Sequence, residues 1–296
     1  MRSSQPFNLV ATSVTRAALR GLGLRSEFAV KHLHRVGNVR CQLPNGRTMV
    51  LWSRGDDWVA NQVYWRGWSG YEPETAPAFF AFASRARVVF DIGAHVGFYA
   101  VLAAHANPAA KIFAFEPHPR AFERLVKNVA RNQLDNVRCL RSACGAADGV
   151  AQLHSIDVDS VPSRSTLDPA MMRPEWGLCS WSVEVLALDR LVSDEDLARV
   201  DLLKIDVEGT EPEVLRGMRE TLRRDRPVIF AEVLPGARTE DDLEALLGPE
   251  RYHYYLLTLR GPQARRHIRA HGTWFNWLFT PTESDEALDV CRPLGG

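Results

Sequence analysis

Short apolar runs alternate with amphipathic stretches from residue 87 to about residue 250. The runs at 88–92 and 201–205 suit strands buried on both faces, whereas 119–132 spaces its apolar side chains as a helix does. Strands that alternate with helices predict βαβ units, right-handed crossovers and a parallel sheet. The predicted strands are 88–92, 111–115, 137–140, 150–156, 183–188, 201–205, 227–233, 252–259 and 274–280, with helices at 97–106, 119–132, from 210, and at 239–247.

The first 84 residues follow a different pattern. Residues 1–26 mix arginines with apolar side chains and have no acid before Glu27, which favours a helix packed on the body. A targeting presequence, or a helix in peripheral contact with a membrane surface, is the alternative. The turn Pro44-Asn45-Gly46 predicts a β-hairpin within 28–55, and an aromatic-rich stretch follows. We therefore divide the chain into an N-terminal extension, residues 1–84, and an α/β domain, residues 85–296.

Composition narrows the classes of function. The 296 residues include 36 basic and 36 acidic side chains, so the formal net charge is zero and nucleic acid is an unexpected partner. No apolar run reaches the roughly 18 residues of a membrane span. The five cysteines are scattered without a C-x-x-C pair, which argues against a zinc knuckle and a disulfide framework. The expected compartment is the reducing cytoplasm.

A glycine-rich turn, residues 91–97, joins the first strand of the α/β domain to its first helix. Ligands of open α/β sheets bind outside the carboxyl ends of the strands, where glycines let them approach the backbone. Glu116 ends the second strand roughly twenty residues on, where a carboxylate can bind both ribose hydroxyls. The spacing predicts a nucleoside site at this edge.

The chemistry of the turn distinguishes between nucleosides. A dinucleotide pyrophosphate favours G-x-G-x-x-G without a nearby carboxylate, but this turn reads Gly-x-x-x-Gly with Asp91 two residues before Gly93. S-adenosylmethionine has no phosphate and carries a cationic sulfonium and ammonium, which a carboxylate favours. We therefore predict S-adenosylmethionine. The alternatives are that Asp91 only caps the turn, and that the fold serves a dehydrogenase.

Longer motifs reinforce this prediction: Phe90–Tyr99 (FDIGAHVGFY), Phe115-Glu116-Pro117, Leu188-Asp189, Lys204–Gly209 (KIDVEG) and Phe230–Val233 (FAEV). Together they resemble the FkbM family of S-adenosylmethionine-dependent methyltransferases from about residue 71 to residue 233. The resemblance implies a class I methyltransferase (Rossmann-like) fold, α/β, with a seven-stranded, mostly parallel sheet, its last strand inserted antiparallel, and helices on both faces. It also implies O-methylation of a hydroxyl on a sugar, glycan or secondary metabolite. His95 departs from the asparagine common there.

The cofactor-binding candidates lie at the mouths of the first strands. They are Asp91, Gly93, Ala94, His95, Gly97, Glu116, Pro117, Ala143 and Asp206.

The acidic block after the strand 201–205 supplies the catalytic candidates. Lys204 and Asp206 alternate along that strand and so share a face. We expect Asp206 to position the donor or the acceptor, and Glu208 to accept the hydroxyl proton. Glu232 could share the role of base. Lys204 either orients an anionic acceptor or pairs with Asp206. These carboxylates offer oxygen ligands to a divalent metal, but no spacing demands one and no metal is predicted.

Acceptor contacts are expected from outside the nucleotide half. The candidates for stacking on an acceptor are Trp65, Trp68, Tyr71, Trp176 and Trp181, although such aromatics also fill core seams. Residues 163–181 suggest a lid. The basic stretch 260–271 reads as a solvated loop or a receptor for an anionic acceptor. The alternatives in function are methylation of RNA or protein and a non-catalytic cofactor-binding module.

Overall fold

The computed structural model describes residues 5–22, 26–156, 160–162, 164–173, 175 and 177–283. Its main sheet has five parallel strands, followed by an antiparallel strand and two further strands at one edge. In spatial order the strands are β5 (Val137–Leu140), β4 (Lys111–Phe115), β3 (Val88–Ile92), β10 (Leu202–Ile205), β11 (Val228–Glu232), β14 (Asn276–Pro281), β12 (Tyr252–Thr258) and β13 (Gly261–Arg265).

The main sheet differs from the prediction by one strand. Its first seven strands have the predicted arrangement, with β14 inserted antiparallel between β11 and β12. The eighth, β13, falls within the basic stretch expected to be a loop. It pairs with β12 through a tight turn in which the Thr258 hydroxyl donates to the Gly261 carbonyl oxygen at 2.9 Å. Its polar, half-exposed side chains lack the apolar run that identifies a buried strand.

Helices cover both faces of the main sheet, as predicted. Along β10, Leu202 and Lys204 face one layer while Leu203 and Ile205 face the other, because side chains alternate along a strand. The first layer contains α4 (Ala76–Ala83), α5 (Phe98–Ala106) and α6 (Pro119–Arg131). The second contains α7 (Leu188–Asp194), α8 (Glu211–Arg216), α9 (Arg219–Asp225) and α10 (Glu240–Leu247).

The predicted strands at 150–156 and 183–188 leave the main sheet and belong to a second, smaller one. Two long antiparallel strands dominate it, with short strands on either side. The order is β6 (Ala143–Cys144), β9 (Leu178–Leu186), β7 (Gly149–Ile156) and β8 (Ser165–Thr166). This sheet carries residues 164–167 to the edge of the main sheet where the parallel strands end.

The N-terminal extension packs on the α5–α6 side and contributes to the same apolar core. Amide side chains of α6 and of its C-terminal cap bond to the predicted hairpin of the extension: Asn128 Oδ1 accepts from Trp52 N at 2.7 Å, and Asn132 Oδ1 accepts from Val50 N at 2.8 Å. These bonds satisfy donors on an edge strand. The division at residue 84 stays a prediction. The elements are α1 (Gln5–Gly21), α2 (Glu27–His32), β1 (Val36–Gln42), β2 (Thr48–Arg54) and α3 (Trp58–Arg66).

Helix α1 lies against the body through polar contacts. Asn8 bonds to the His34 carbonyl and the Val36 amide, and Arg35 donates to Thr12 at 2.7 Å. The side chains of Val10 and Val14 lie on the opposite face, exposed to solvent. The predicted packing on the body is therefore present, and contact with a membrane surface stays a prediction. Among helices of the described ranges, none combines the length and hydrophobicity needed to cross a bilayer.

Candidate active site

A cavity of about 250 Å³ opens where the parallel strands end. The turn after β3, the end of β4, the segment after β5 and the ends of β10 and β11 form its floor, while the extension and the second sheet form its outer wall. The predicted site residues that line it are Gly93, His95, Glu116, Pro117, Ala143, Asp206, Glu208 and Glu232. Those that lie behind its surface are Asp91, Ala94, Gly97 and Lys204.

Gly93 occupies a position where no side chain fits. Its φ is +79°, and a Cβ there would lie 1.9 Å from the Asp206 carbonyl oxygen. The two segments are also joined by the Asp206 amide, which donates to the Ile92 carbonyl at 2.9 Å. The glycine therefore allows the two strand ends to meet, a packing constraint in addition to the ligand access expected from the sequence.

Glu116 is oriented by the backbone of two segments. One carboxylate oxygen accepts from His95 N at 2.7 Å and the other from His118 N at 2.8 Å. Burial raises the pKa of Glu116, while His95 and the amide donors oppose that rise. The carboxylate retains lone pairs that can accept from the hydroxyls of a ligand.

Lys204 is completely buried and faces several carboxylates. Its Nζ lies 3.0 Å from Asp206 Oδ2, 4.0 Å from Glu72 Oε2 and 3.4 Å from Asn276 Oδ1. Burial alone would lower the pKa of Lys204, but Asp206, Glu72 and Glu232 raise it above its ordinary value. The pairing with Asp206, one of the two sequence-based alternatives, is therefore present.

Asp91 faces Lys204 across adjacent strands, since the two residues are paired in register. Burial raises the pKa of Asp91 to about 7, against the lowering effect of Lys204 and of a hydrogen bond from the Ala100 amide. Its Oδ2 is buried without a hydrogen-bond partner. An unsatisfied buried carboxylate oxygen is costly, so burial favours the neutral form of Asp91 unless a cation lies nearby.

Glu208 and Glu232 bring further carboxylates to the cavity. Glu208 has a left-handed backbone, with φ of 57°, and its Oε2 lies 3.0 Å from Arg164 Nε. Burial, followed by the charge of Asp206, raises the pKa of Glu208 to about 8. Burial also raises the pKa of Glu232, whose Oε2 has no hydrogen-bond partner. Glu208 can therefore hold a proton near neutral pH, and burial also favours the protonated form of Glu232.

Helix α8 begins at the predicted place but is capped differently. Residues 210–213 have the spacing of a capping box, in which the Thr210 hydroxyl would accept from Glu213 N, yet that hydroxyl donates to the Val207 carbonyl at 3.4 Å. Glu211 instead accepts from Val207 N and Gly209 N. Glu211 thus holds the loop that carries Glu208 and is itself buried. The sequence spacing identified the helix start and not the bonding partner.

Several residues of the site had no sequence-based prediction. Glu72, Trp58, His118 and Arg164 all line the cavity. Glu72 follows Tyr71 in an aromatic-rich segment, and its Oε2 accepts from the Tyr99 hydroxyl at 2.5 Å. An acid within an aromatic-rich segment was the available sequence signal of a functional residue, but the contact of Glu72 with Tyr99 of α5 depends on the fold.

Of the aromatic side chains predicted to stack on an acceptor, some fill the core seam and others lie at or near the cavity. Trp65 donates to the Leu33 carbonyl and Trp68 packs on Phe80, so both fill the core seam. Tyr71 lines the cavity. Trp181 stacks edge-on against His118, whose pKa burial lowers to about 4. Trp176 and Ser163, at the start of the predicted lid, lie outside the described residues.

The basic stretch 260–271 lies away from the cavity. Arg269 lies 3.4 Å from both Asp241 and Glu244 of α10, and no residue of 260–271 lines the cavity.

Within the described ranges, no group of three or more His, Cys, Asp or Glu side chains is arranged to hold a metal ion. The described cysteines Cys41, Cys139, Cys144 and Cys179 form no disulfide with one another, and Cys291 lies outside the described residues.

Comparison with known proteins identifies the family to which the chain is similar. The family model described as "Methyltransferase FkbM domain" matches residues 91–257. The 2-O-methyltransferase NoeI of Sinorhizobium fredii is 31% identical over 148 residues, which cover 47% of this chain and 60% of NoeI. The hexuronic acid methyltransferase AglP of Haloferax volcanii is 30% identical over 154 residues, covering 52% of this chain and 59% of AglP.

A solved structure with the same family description aligns over a larger share of the chain. Methyltransferase FkbM from Methylobacillus flagellatus KT covers 75% of this chain and 54% of its own, at 14% identity and a TM-score of 0.45. The chain spans about 60% of the length of the curated relatives it matches.

Proposed function

The chain belongs to the FkbM family of methyltransferases, and we propose that it transfers a methyl group from S-adenosylmethionine to a hydroxyl oxygen of a sugar or secondary metabolite. The observation that carries this proposal is the set of carboxylates around one cavity: Glu116 at the end of β4, Asp206 at the end of β10 and Glu232 at the end of β11. A cavity lined by carboxylates suits a cationic nucleoside better than a diphosphate.

The residues present fit the donor. Glu116 is oriented toward the cavity by two backbone amides and would accept from the ribose hydroxyls. Pro117 and Ala143 line the neighbouring part of the cavity, where the adenine would lie. Asp91 and Glu232 each have a buried oxygen without a hydrogen-bond partner, and a bound cation would favour the ionised form of both carboxyl groups. When bound, S-adenosylmethionine supplies a methyl group activated by the positive charge on sulfur.

Glu208 is the proposed base. Its pKa of about 8 makes the ionised form a stronger proton acceptor than an ordinary glutamate, so that form can accept the proton of an acceptor hydroxyl. The ion pair with Arg164 fixes the carboxylate at the cavity wall. Asp206, held by Lys204, would orient the acceptor hydroxyl, and Glu232 is the second candidate for the base. Positioning and exclusion of water supply the rest of the rate enhancement.

The outer part of the cavity suits a hydroxyl-bearing ring. Trp58 and Tyr71 contribute aromatic side chains there, and Arg164 contributes a polar group. Aromatic faces combined with a few polar groups are typical of small-molecule sites. The names of NoeI and AglP refer to a 2-O-methyltransferase and to a hexuronic acid methyltransferase, which agrees with a sugar as the acceptor.

The alternative of RNA or protein methylation gains no such support. The cations that would attract nucleic acid in the stretch 260–271 include Arg269, which pairs with Asp241 and Glu244. No described residue of that stretch lines the cavity. A small acceptor therefore remains our proposal.

The direct test is transfer of an isotopically labelled methyl group. The purified chain is incubated with labelled S-adenosylmethionine and fractionated cell extract, and mass spectrometry identifies what gains the label. We expect label in a small, hydroxyl-bearing molecule, and loss of labelling with Glu208→Gln. Label found only in RNA or protein would contradict the proposal.

A further inference from the structure

We propose that Glu72 of the N-terminal extension binds the ammonium group of the methyl donor, so that the extension completes the donor site. This inference rests on the proposed function. Glu72 lies outside residues 91–257, the part of the chain matched by the family model.

Glu72 is held at the cavity by two contacts. Its Oε2 accepts from the Tyr99 hydroxyl at 2.5 Å and lies 4.0 Å from Lys204 Nζ, and the residue lines the cavity. Burial raises the pKa of Tyr99, so the phenol keeps its proton and acts as the donor in this bond. Besides these two contacts, the Tyr71 hydroxyl hydrogen-bonds to the Glu72 carboxylate. The two carboxylate oxygens together retain lone pairs that can accept from a ligand.

The order of the strands determines which end of the donor meets Glu72. Glu116, at the end of β4, takes the ribose, and Ala143 follows β5 on the far side from β3. The amino-acid end of the donor must then point toward β3 and β10. Glu72 lies near this end, because its carboxylate is close to the ammonium group of Lys204, which belongs to β10.

The charges around Lys204 leave room for another cation. Glu72, Asp206 and Glu232 all act on Lys204 electrostatically and all line the cavity. Burial opposes the ionisation of Glu72 and Glu232 and raises the pKa of both, and Glu232 Oε2 is buried with no hydrogen-bond partner. An ammonium group placed between Glu72 and Asp206 would favour the ionised carboxylates and donate hydrogen bonds to them.

The backbone of Glu72 is also strained. Its φ is 42°, a left-handed conformation that is uncommon for a residue other than glycine. His95 and Glu208, two other residues with positive φ, line the same cavity. Strain of this kind is concentrated at ligand sites, where it holds a side chain in place.

The test compares two ligands that differ in the amino-acid end. S-adenosylhomocysteine carries the ammonium group, whereas 5′-methylthioadenosine has the same nucleoside and a thioether but no amino acid. Dissociation constants are measured by calorimetry for the wild type, for Glu72→Gln and for Glu74→Gln. Glu74 is the matched control, because it lies in the same segment, bonds to Asn276 and does not line the cavity.

We expect Glu72→Gln to weaken S-adenosylhomocysteine by about 10- to 100-fold, the effect of losing one charged hydrogen bond. Binding of 5′-methylthioadenosine should change less than about 2-fold, and Glu74→Gln should leave both ligands unaffected. Equal weakening of both ligands, or of neither, would overturn the role of Glu72. If Glu72→Gln does not fold, Glu72→Asp must show the same selective loss, and an unselective result would overturn the role equally. A wild type that binds neither ligand would contradict the proposed function itself.

Discussion

The two walls of the cavity are built in different ways. The donor wall consists of strand ends joined by backbone contacts: Gly93 fits against Asp206 and two amides hold Glu116. The acceptor wall is built from the extension and the second sheet, where side-chain contacts such as Arg164 with Glu208 dominate. Backbone contacts allow few substitutions, whereas side-chain contacts can change without loss of the fold. We infer that the donor wall fixes the nucleoside site, and that the acceptor wall sets the substrate apart from the proposed contact of Glu72 with the donor.

The largest expected effect is on the donor wall, at Gly93. Gly93→Ala should lower the free energy of unfolding by about 2–4 kcal/mol, because it adds both a clash and an unfavourable φ. Gly236→Ala is the matched control: its φ is +91°, but no atom lies within 4 Å of the added Cβ. Denaturant unfolding of both variants separates the clash from the backbone effect. Equal losses would show that the contact with Asp206 is unimportant.

Glu116 and Glu208, which are assigned to the donor and to the acceptor, should respond differently to loss of charge. Glu116→Gln should weaken S-adenosylhomocysteine by about 10- to 100-fold, since the ribose loses a charged acceptor. Glu208→Gln should leave that affinity within about 3-fold while turnover falls by about 100-fold or more. Calorimetry and a methyl-transfer assay measure the two quantities. A reversed pattern, in which Glu208→Gln weakens donor binding and Glu116→Gln does not, would contradict the roles assigned to these two carboxylates.

Affinity for the donor should increase with pH. Asp91 has a pKa of about 7, so it is largely neutral below that pH and charged above it, and a permanent sulfonium favours the charged form. We expect S-adenosylmethionine to bind more tightly as pH rises from about 5.5 to 7.5, and Asp91→Asn to reduce this slope. An unchanged slope in the variant would exclude Asp91 as a source of the dependence.

The same shift predicts how the free protein responds to pH. The folded state holds the Asp91 proton up to about pH 7, whereas the unfolded chain releases it near the ordinary value of 3.8. The folded state therefore binds more protons between these values, so the free energy of unfolding should fall as pH rises through this window. Denaturant titrations without ligand test the sign, and Asp91→Asn should fall less steeply.

The smallest expected effect is on the acceptor wall, at Trp58. Its side chain is 48% exposed and lines the cavity. Trp58→Ala should raise the KM for the acceptor by about 3- to 10-fold, with little change in donor affinity or in Tm. Trp68→Ala is the contrast, because Trp68 packs on Phe80 and should affect stability instead. An unchanged KM would remove Trp58 from the acceptor site.

The sequence was most informative on the donor wall. Buried strands, the glycine turn and Glu116 depend on local patterns whose meaning the α/β fold fixes, and the structure confirms the predicted strands β3, β4 and β10. The acceptor wall depends on long-range contacts. Glu72 meets Tyr99 across 27 residues, and Thr166 meets the Glu208 carbonyl across 42, so no local pattern reports them.

Strand β13 was missed for a related reason. Its pairing depends on a turn beside Gly261 and on the exposed edge of β12, not on an apolar run. The exposed apolar face of α1 is the opposite case: the sequence shows its amphipathic pattern but not that the polar side faces the protein. Both outcomes arise because burial depends on neighbours that only the fold supplies.

The central claim is that the negative potential beside Gly93 selects a cationic nucleoside and rejects a diphosphate. Calorimetric titration of the wild-type protein with S-adenosylmethionine and, separately, with NAD tests it directly. We predict saturable binding of S-adenosylmethionine, weakened at least about 10-fold by Glu116→Gln, and no binding of NAD. Tight binding of NAD together with no binding of S-adenosylmethionine would contradict the claim.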